Sequence, residues 1–247
     1  MLEIYGMTDK GIVRTQNQDA IYISVNEDIK LYIVADGMGG ANAGDIASKK
    51  CIEFVKEYIF ENYTEKSMND ILNLLKDAID YSNKKVYELS VQNPEYEGMG
   101  TTVITLLIVK NKLYIAHAGD SSLYRIRKNI IRKITKDHTY VQQLIDDKTI
   151  TKQEAKVHPK RHMITKVLGC DEIIEPDILM KKIEDYDYIV MCTDGLTNMV
   201  SDKEIMNIVK ENDNSKISCT KLVDLANERG GHDNISVIIL KYINGGI

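Results

Sequence analysis

The sequence predicts an α+β fold in which a meander of antiparallel strands follows a pair of helices. Three observations carry that prediction. Residues 101–109, 112–118, 122–127 and 129–134 are runs rich in β-branched and aliphatic residues, separated only by short turns. That is hairpin spacing, and it leaves no room for the crossover helices of a parallel sheet. Ahead of them, residues 43–62 and 68–91 place apolar side chains at helical intervals. Third, four strand-like runs begin or end at an aspartate flanked by glycine or asparagine: Asp36, Asp120, Asp194 and Asp233.

Taken in order, residues 2–8 and 20–25 read as strands. The stretch that organises the chain follows: LYIVADGMGG, residues 31–40, an apolar run that closes on Asp36 and enters a glycine-studded turn. A helix starts at Ala43. A second, with Ile71, Leu72, Leu75, Ile79 and Val86 as its core stripe, is capped by Ser67 or Asn69 and ends at Asn93-Pro94. Asn111 turns the first meander strand into the second. Residues 137–169 are polar and irregular, with a short helix expected from Thr151. Residues 175–182 and 188–193 are strand-like. Helices follow at 202–212, capped by Ser201 with Glu204 three residues on, and at 216–229, broken by Gly230-Gly231. Residues 235–242 form the final strand. No repeat, low-complexity tract or linker interrupts the chain, so residues 1–247 read as one domain.

With 247 residues, 43% hydrophobic and 28% charged, the chain is long enough for a real core and ordinary for a globular protein. Its formal net charge of −5 argues against nucleic acid as a partner. No apolar run suits a membrane span, and the first residues lack the basic start and apolar segment of a signal peptide. Cys51, Cys170, Cys192 and Cys219 are widely spread, with no pair at zinc or redox spacing and no arginine placed for a cysteine-dependent phosphatase loop. Cys51 and Cys192 sit in apolar settings as small buried hydrophobes. The expected compartment is the cytoplasm.

One Asp-Gly after a strand is an ordinary turn. Four aspartates at strand ends are hard to explain as turns alone; where the strands share a sheet system their carboxylates can converge, and converged carboxylates repel unless a cation or proton neutralises them. Carboxylate and carbonyl oxygens suit hard divalent cations such as Mg²⁺ or Mn²⁺.

The motifs, read in order, resemble one family. They are Arg14-Thr15-Gln16-Asn17-Gln18-Asp19, Asp36 to Gly40, Ala43-Gly44-Asp45, Gly98-Met99-Gly100-Thr101-Thr102 and Ala118-Gly119-Asp120-Ser121-Ser122. They continue with Thr135-Lys136-Asp137-His138, His158-Pro159, residues 164–169, Thr193-Asp194-Gly195-Leu196 and Gly230 to Asn234. Together they cover essentially the whole chain. They are similar to the metal-dependent protein serine/threonine phosphatases of type 2C, the PPM family, and most of all to its small bacterial single-domain members.

That resemblance implies a four-layer αββα sandwich, two packed antiparallel sheets flanked by helices, with metals at one edge. It implies two Mn²⁺ or Mg²⁺ ions held by Asp36, the Gly37 carbonyl, Asp194 and Asp233, and a weaker third ion on Asp120 with Asp194. A hydroxide bridging two ions would attack phosphorus directly, without a phosphoenzyme. Arg14 would clamp the substrate phosphate, Asp19 would hold metal-bound water, and Asn234 would support the ligands. Residues 137–169 would form a flap, with Lys156, Lys160, Arg161 and Lys166 available to recruit phosphoprotein. The implied partners are phosphoproteins and a cognate Ser/Thr kinase that the enzyme opposes; a monomer is expected.

Three positions depart from the family pattern. Ala41 stands where bacterial relatives commonly have histidine, Met38 where many eukaryotic members carry a proposed general acid, and Ser122 where relatives often carry arginine. Leaving-group protonation would fall to metal-bound water or another residue. Of His117, His138, His158, His162 and His232, the last adjoins Asp233. Two other readings share these motifs: a phosphatase that resets a stress or sporulation switching cascade, and a phosphoprotein-binding protein without activity. Retention of Arg14 and the aspartates favours an enzyme. An aspartyl-phosphate motif after a strand is missing, and the Gly231-His232-Asp233-Asn234 order differs from that of calcineurin-type metallophosphoesterases.

Overall fold

The computed structural model describes residues 2–24, 28–40, 43–64 and 67–243. In chain order the strands are β1 (Leu2–Asp9), β2 (Asp19–Ile23), β3 (Lys30–Met38), β4 (Gly100–Thr101), β5 (Val103–Val109) and β6 (Lys112–Ala118). They continue with β7 (Ser122–Arg127), β8 (Ile130–Lys133), β9 (Asp177–Lys182), β10 (Tyr188–Cys192) and β11 (Ile235–Tyr242). The helices are α1 (Ala43–Asn62), α2 (Met68–Gln92), α3 (Tyr140–Asp146), α4 (Lys152–Val157), α5 (Asp194–Thr197), α6 (Asp202–Asn212) and α7 (Ser215–Glu228).

All strand pairings are antiparallel, and they form two sheets. One has the order β1-β11-β10-β7-β8; the other is β2-β3-β5-β6-β9, with β4 beside the end of β3. The central strands are continuous apolar runs because both of their faces are buried. On β3, Leu31, Ile33 and Ala35 meet Ala47, Cys51, Val55 and Ile59 of α1 and Leu75 and Ile79 of α2. Tyr32 and Val34, pointing the other way, meet Ile189, Met191, Ile238 and Leu240 of the opposite sheet. The alternate residues of those strands, Val190, Cys192, Val237 and Ile239, pack under Ile205 and Val209 of α6 and Leu222 and Val223 of α7. Three apolar layers thus separate four structural ones, which is the expected αββα sandwich.

Capping sets the helix starts. Ser67, not Asn69, caps α2 in a capping box with Asp70, and Ser201 does the same for α6 with Glu204. Four local expectations need correction. The second strand runs Asp19–Ile23 and stops before position 25, which lies outside the described residues. β3 does not turn at Asp36: Gly37 and Met38 continue it by pairing with Thr101 and Gly100. Residues 137–169 are not wholly irregular, because Thr139 caps α3 as Thr151 caps α4. Asp194-Gly195 opens the short helix α5 rather than a simple turn. Among the described residues no helix is long and apolar enough to cross a membrane.

Candidate active site

The two sheets each contribute carboxylates to one edge of the sandwich. Asp36 and Asp19 come from β3 and β2, where they stand directly opposite each other. Asp120 follows β6, Asp194 opens α5 after β10, and Asp233 precedes β11. Asp36 is held by its backbone. Its N–H donates to Thr102 Oγ1 (3.1 Å), and its carbonyl accepts from the Thr102 N–H and the Thr101 hydroxyl, each at 2.9 Å. Next to it, a Cβ on Gly37 would overlap the Gly44 carbonyl oxygen and lie 2.6 Å from the Gln18 carbonyl oxygen. Only glycine lets β3 cross the first turn of α1 this closely.

On the other side, Asn198 donates to Asp194 Oδ2 at 3.0 Å, one helical turn on. Asp233 accepts the Asn234 N–H at Oδ1 (2.8 Å) and the Arg14 guanidinium at Oδ2 (2.9 Å). Asn234 faces the other way. Its Oδ1 accepts the Gln18 N–H, and its Nδ2 donates to the carbonyls of Lys10 and Gln16, all at 2.8 Å. It therefore staples the loop that carries Arg14 to the segment ahead of β11 that carries Asp233. Asp19 is buried beneath the group, its Oδ2 accepting from Thr193 (2.9 Å) and Ser236 (2.7 Å), while its Oδ1 has no partner.

These carboxylates perturb one another. Burial, reinforced by Asp19, Asp194, Asp120 and Asp233, pushes Asp36 well above the usual carboxylate range. Burial likewise raises Asp19 to about 7, against the opposing hydroxyls of Ser236 and Thr193 and with added repulsion from Asp194 and Asp233. Asp120 is raised to about 7 by burial and then by Asp194 and Asp137. Asp194 rises through burial and Asp233. Asp120 Oδ1, like Asp19 Oδ1, is buried without a hydrogen-bond partner. Clustered, oxygen-only, half-buried carboxylates with unpartnered oxygens are the donor set of hard divalent cations. The residues fit such ions.

A cleft of about 930 Å³ opens beside Asp120, Asp194 and Asp233 and is walled by the 137–169 segment. Of the basic residues expected there, Lys156 and Arg161 line it. Lys160 instead lies over the Tyr140 ring, and Lys166 pairs with Asp177 at 3.2 Å. Asp137 and His162, which the sequence reading named without a role, also line the cleft, as do Lys133 and Asn198, which it did not single out. For Asn198 a signal existed: it stands four residues after Asp194, the helical spacing that brings two side chains together. His232 lines the cleft too, Met38 is half-buried on β3, and Ala41 lies outside the described residues.

Behind Asp120, His117, His138 and Asp177 form a second cluster. His138 Nδ1 accepts the Gly119 N–H at 3.1 Å, so the ring proton sits on Nε2, which faces Asp177 Oδ1 at 3.2 Å. A protonated Nε2 is no metal donor, and Lys166 already supplies positive charge to the same Asp177 oxygen. The cluster is an anchor. The His138 backbone also donates to Gly119 O and accepts from the Thr165 N–H, both at 2.8 Å. Asp177 thereby ties both ends of the 137–169 segment to the loop carrying Asp120. Asp177→Asn is expected to speed proteolysis within 137–169 and to lower turnover several-fold, with the melting temperature held within about 3 °C. Unchanged proteolysis would refute the anchor.

Known proteins resemble this chain in sequence and in fold. A family model described as protein phosphatase 2C matches residues 12–223. Protein phosphatase PhpP of Streptococcus pneumoniae is 35% identical over 240 residues, covering 97% of each chain. The serine/threonine phosphatase structure from S. agalactiae superposes with a TM-score of 0.92 at 35% identity, covering 99% of this chain and 100% of that one. The catalytic domain of the phosphatase PstP, solved with 2 manganese ions, gives a TM-score of 0.86 at 32% identity, over 98% and 99% of the two chains.

Proposed function

This chain belongs to the protein phosphatase 2C family, and from that premise we propose that its aspartate cluster hydrolyses phosphoserine and phosphothreonine in proteins. It is a metal-dependent protein serine/threonine phosphatase. The observation that carries the reading is the convergence of Asp36, Asp120, Asp194 and Asp233 from two different sheets, close enough that burial and mutual repulsion push Asp36, Asp120 and Asp194 up. Two Mn²⁺ or Mg²⁺ ions on Asp36, the Gly37 carbonyl, Asp194 and Asp233, with a third on Asp120 and Asp194, would supply Lewis acidity and lower the pKa of a bound water.

The remaining work falls to the chain. Arg14 pairs with Asp233 through one nitrogen while its side chain stays 50% exposed, so the rest of the planar guanidinium is free for phosphate oxygens. Asp19, buried beneath the cluster with Oδ2 held by Thr193 and Ser236, would accept a hydrogen bond from a metal-bound water at its unpartnered Oδ1. Asn198 orients Asp194, and Asn234 fixes the loop that presents Arg14. With methionine at position 38, an alkyl leaving group lacks one source of protonation, whereas an aryl oxide needs little help. The expected substrates are cytoplasmic phosphoproteins made by an opposing Ser/Thr kinase, and the working unit is a monomer.

After EDTA stripping, release of phosphate from a phosphothreonine peptide should return on adding Mn²⁺ and should exceed release from a phosphotyrosine control. Metal-independent release would overturn the mechanism. Turnover of a chromogenic nitrophenyl phosphate, whose leaving group is far more acidic than that of threonine or tyrosine, should exceed that of phosphothreonine protein; equal rates would show that protonation of the leaving group is fully supplied.

A further inference from the structure

Away from the cleft, the β7–β8 hairpin gathers basic side chains in a chain of net charge −5. Arg125, Arg127, Lys128 and Arg132 line a pocket of about 260 Å³ with Ile130 and Glu184. Arg127 is neutralised: its guanidinium donates to both Asp187 oxygens at 2.7 Å and pairs with Glu184. Arg125 and Arg132 are different. They stand directly opposite each other in the strand register, where like charges destabilise a pair. Neither has a carboxylate partner among the described residues. Arg125 makes only a long bond, 3.4 Å, to the Lys182 carbonyl, and its Nε is buried with no acceptor.

The hairpin also has a direction. β8 is the edge strand of its sheet. Arg132 belongs to the arginine pocket and its neighbour Lys133 to the catalytic cleft. The four residues of β8 span about 13 Å. An extended chain laid against this edge therefore reaches from one cavity to the other, in the manner of strand addition.

We propose that Arg125 and Arg132 form a docking site for an acidic, extended segment of the phosphoprotein substrate, several residues from the phosphorylated side chain. The proposal rests on the phosphatase reading and names a feature its substrates would share. A carboxylate between the two guanidiniums turns a repulsive pair into two charge-assisted ones. The contact lies outside the reacting centre, so it acts on KM and not on kcat.

The test measures binding and turnover separately. The binding probe is a fluorescein-labelled peptide of eight mixed Asp and Glu residues without phosphate, followed by anisotropy. The double variant R125S/R132S should weaken binding about tenfold, and R132S, a substitution at an exposed strand edge, about threefold, with a shallower dependence on salt. Equal affinity in all three proteins would overturn the docking site. The kinetic arm compares phosphothreonine peptides carrying an acidic or a neutral segment five to eight residues away. The parent should favour the acidic peptide about fivefold through KM, and the variants should lose that preference at unchanged kcat and unchanged aryl phosphate turnover. Retained turnover with no acidic preference would reject docking. Loss of all turnover in the parent would reject the phosphatase reading, while anisotropy still decides the docking site.

Discussion

Asp36→Asn is expected to lower metal-dependent phosphate release by about a thousandfold, yet to give a metal-stripped protein that melts higher than its parent. Asp36 sits in the most crowded position of the cluster, raised by burial and by all four neighbouring aspartates. Without ions the folded state holds these carboxyls against repulsion that the unfolded chain does not feel. The folded pKa values of Asp19, Asp36, Asp120 and Asp194 lie above the ordinary 3.8, at about 7 for Asp19 and Asp120. Between those limits the folded protein binds more protons than the unfolded one, so stability falls as pH rises. The favourable contribution of the protonated cluster is complete below about pH 4 and lost as pH climbs through 7. The neutral amide removes one charge from the cluster and flattens that decline. A gain of roughly 1–2 kcal/mol at pH 7.5, or about 4 °C, is expected in EDTA. Adding Mn²⁺ should reverse the ranking, because only the parent gains the full stabilisation of bound ions. Thermal melts at pH 5 and 7.5, with and without Mn²⁺, would check each part. A variant less stable than its parent in EDTA at pH 7.5 would show that Asp36 is not held against repulsion.

Gly37→Ala is expected to be among the most disruptive single methyl additions beside the aspartate cluster. The new Cβ would overlap the Gly44 carbonyl and lie 2.6 Å from that of Gln18, both of them backbone atoms that cannot rotate away. Relief requires parting β3 from α1, whose Ala47, Cys51 and Val55 pack on the same strand. A loss of more than about 4 kcal/mol, or insoluble protein, should follow. Gly40→Ala, three residues on, is the control: its added Cβ meets nothing within 4 Å, and its melting temperature should stay within about 2 °C of the parent. If both variants behave alike, the crossing of β3 over α1 is looser than described.

Much of this architecture is legible in the sequence, because apolar strands buried on both faces and capped helices leave strong local signals. β3, β5 to β7, β11, α1 and α6 stand close to where periodicity and caps put them. α3 left a weaker trace: only Val141 is buried along it, so it has no apolar stripe, although Thr139 at its N-cap was readable. The aspartates were legible as strand-end residues next to glycine. Their environment was not. The Arg14–Asp233 pair joins residues 219 apart, and the hydroxyls of Thr193 and Ser236 reach Asp19 from 174 and 217 residues away. Such contacts follow from sheet order, and sheet order leaves no local mark.

That order has a consequence for how the protein is made. β11 is synthesised after every other described strand, yet it lies between β1 and β10 and pairs along its length with β1. Until it leaves the ribosome, β1 and β10 wait with open edges, and the sheet whose β10 leads into Asp194 lacks the strand that joins β1 to the rest. The partner sheet is complete by residue 182 and can form first. Asp233 and Asn234 emerge just ahead of β11, so the fourth carboxylate and the staple on the Arg14 loop arrive together with the strand that closes the gap. A nascent chain thus carries two adhesive edges and no hydrolytic capacity until translation has passed Tyr242.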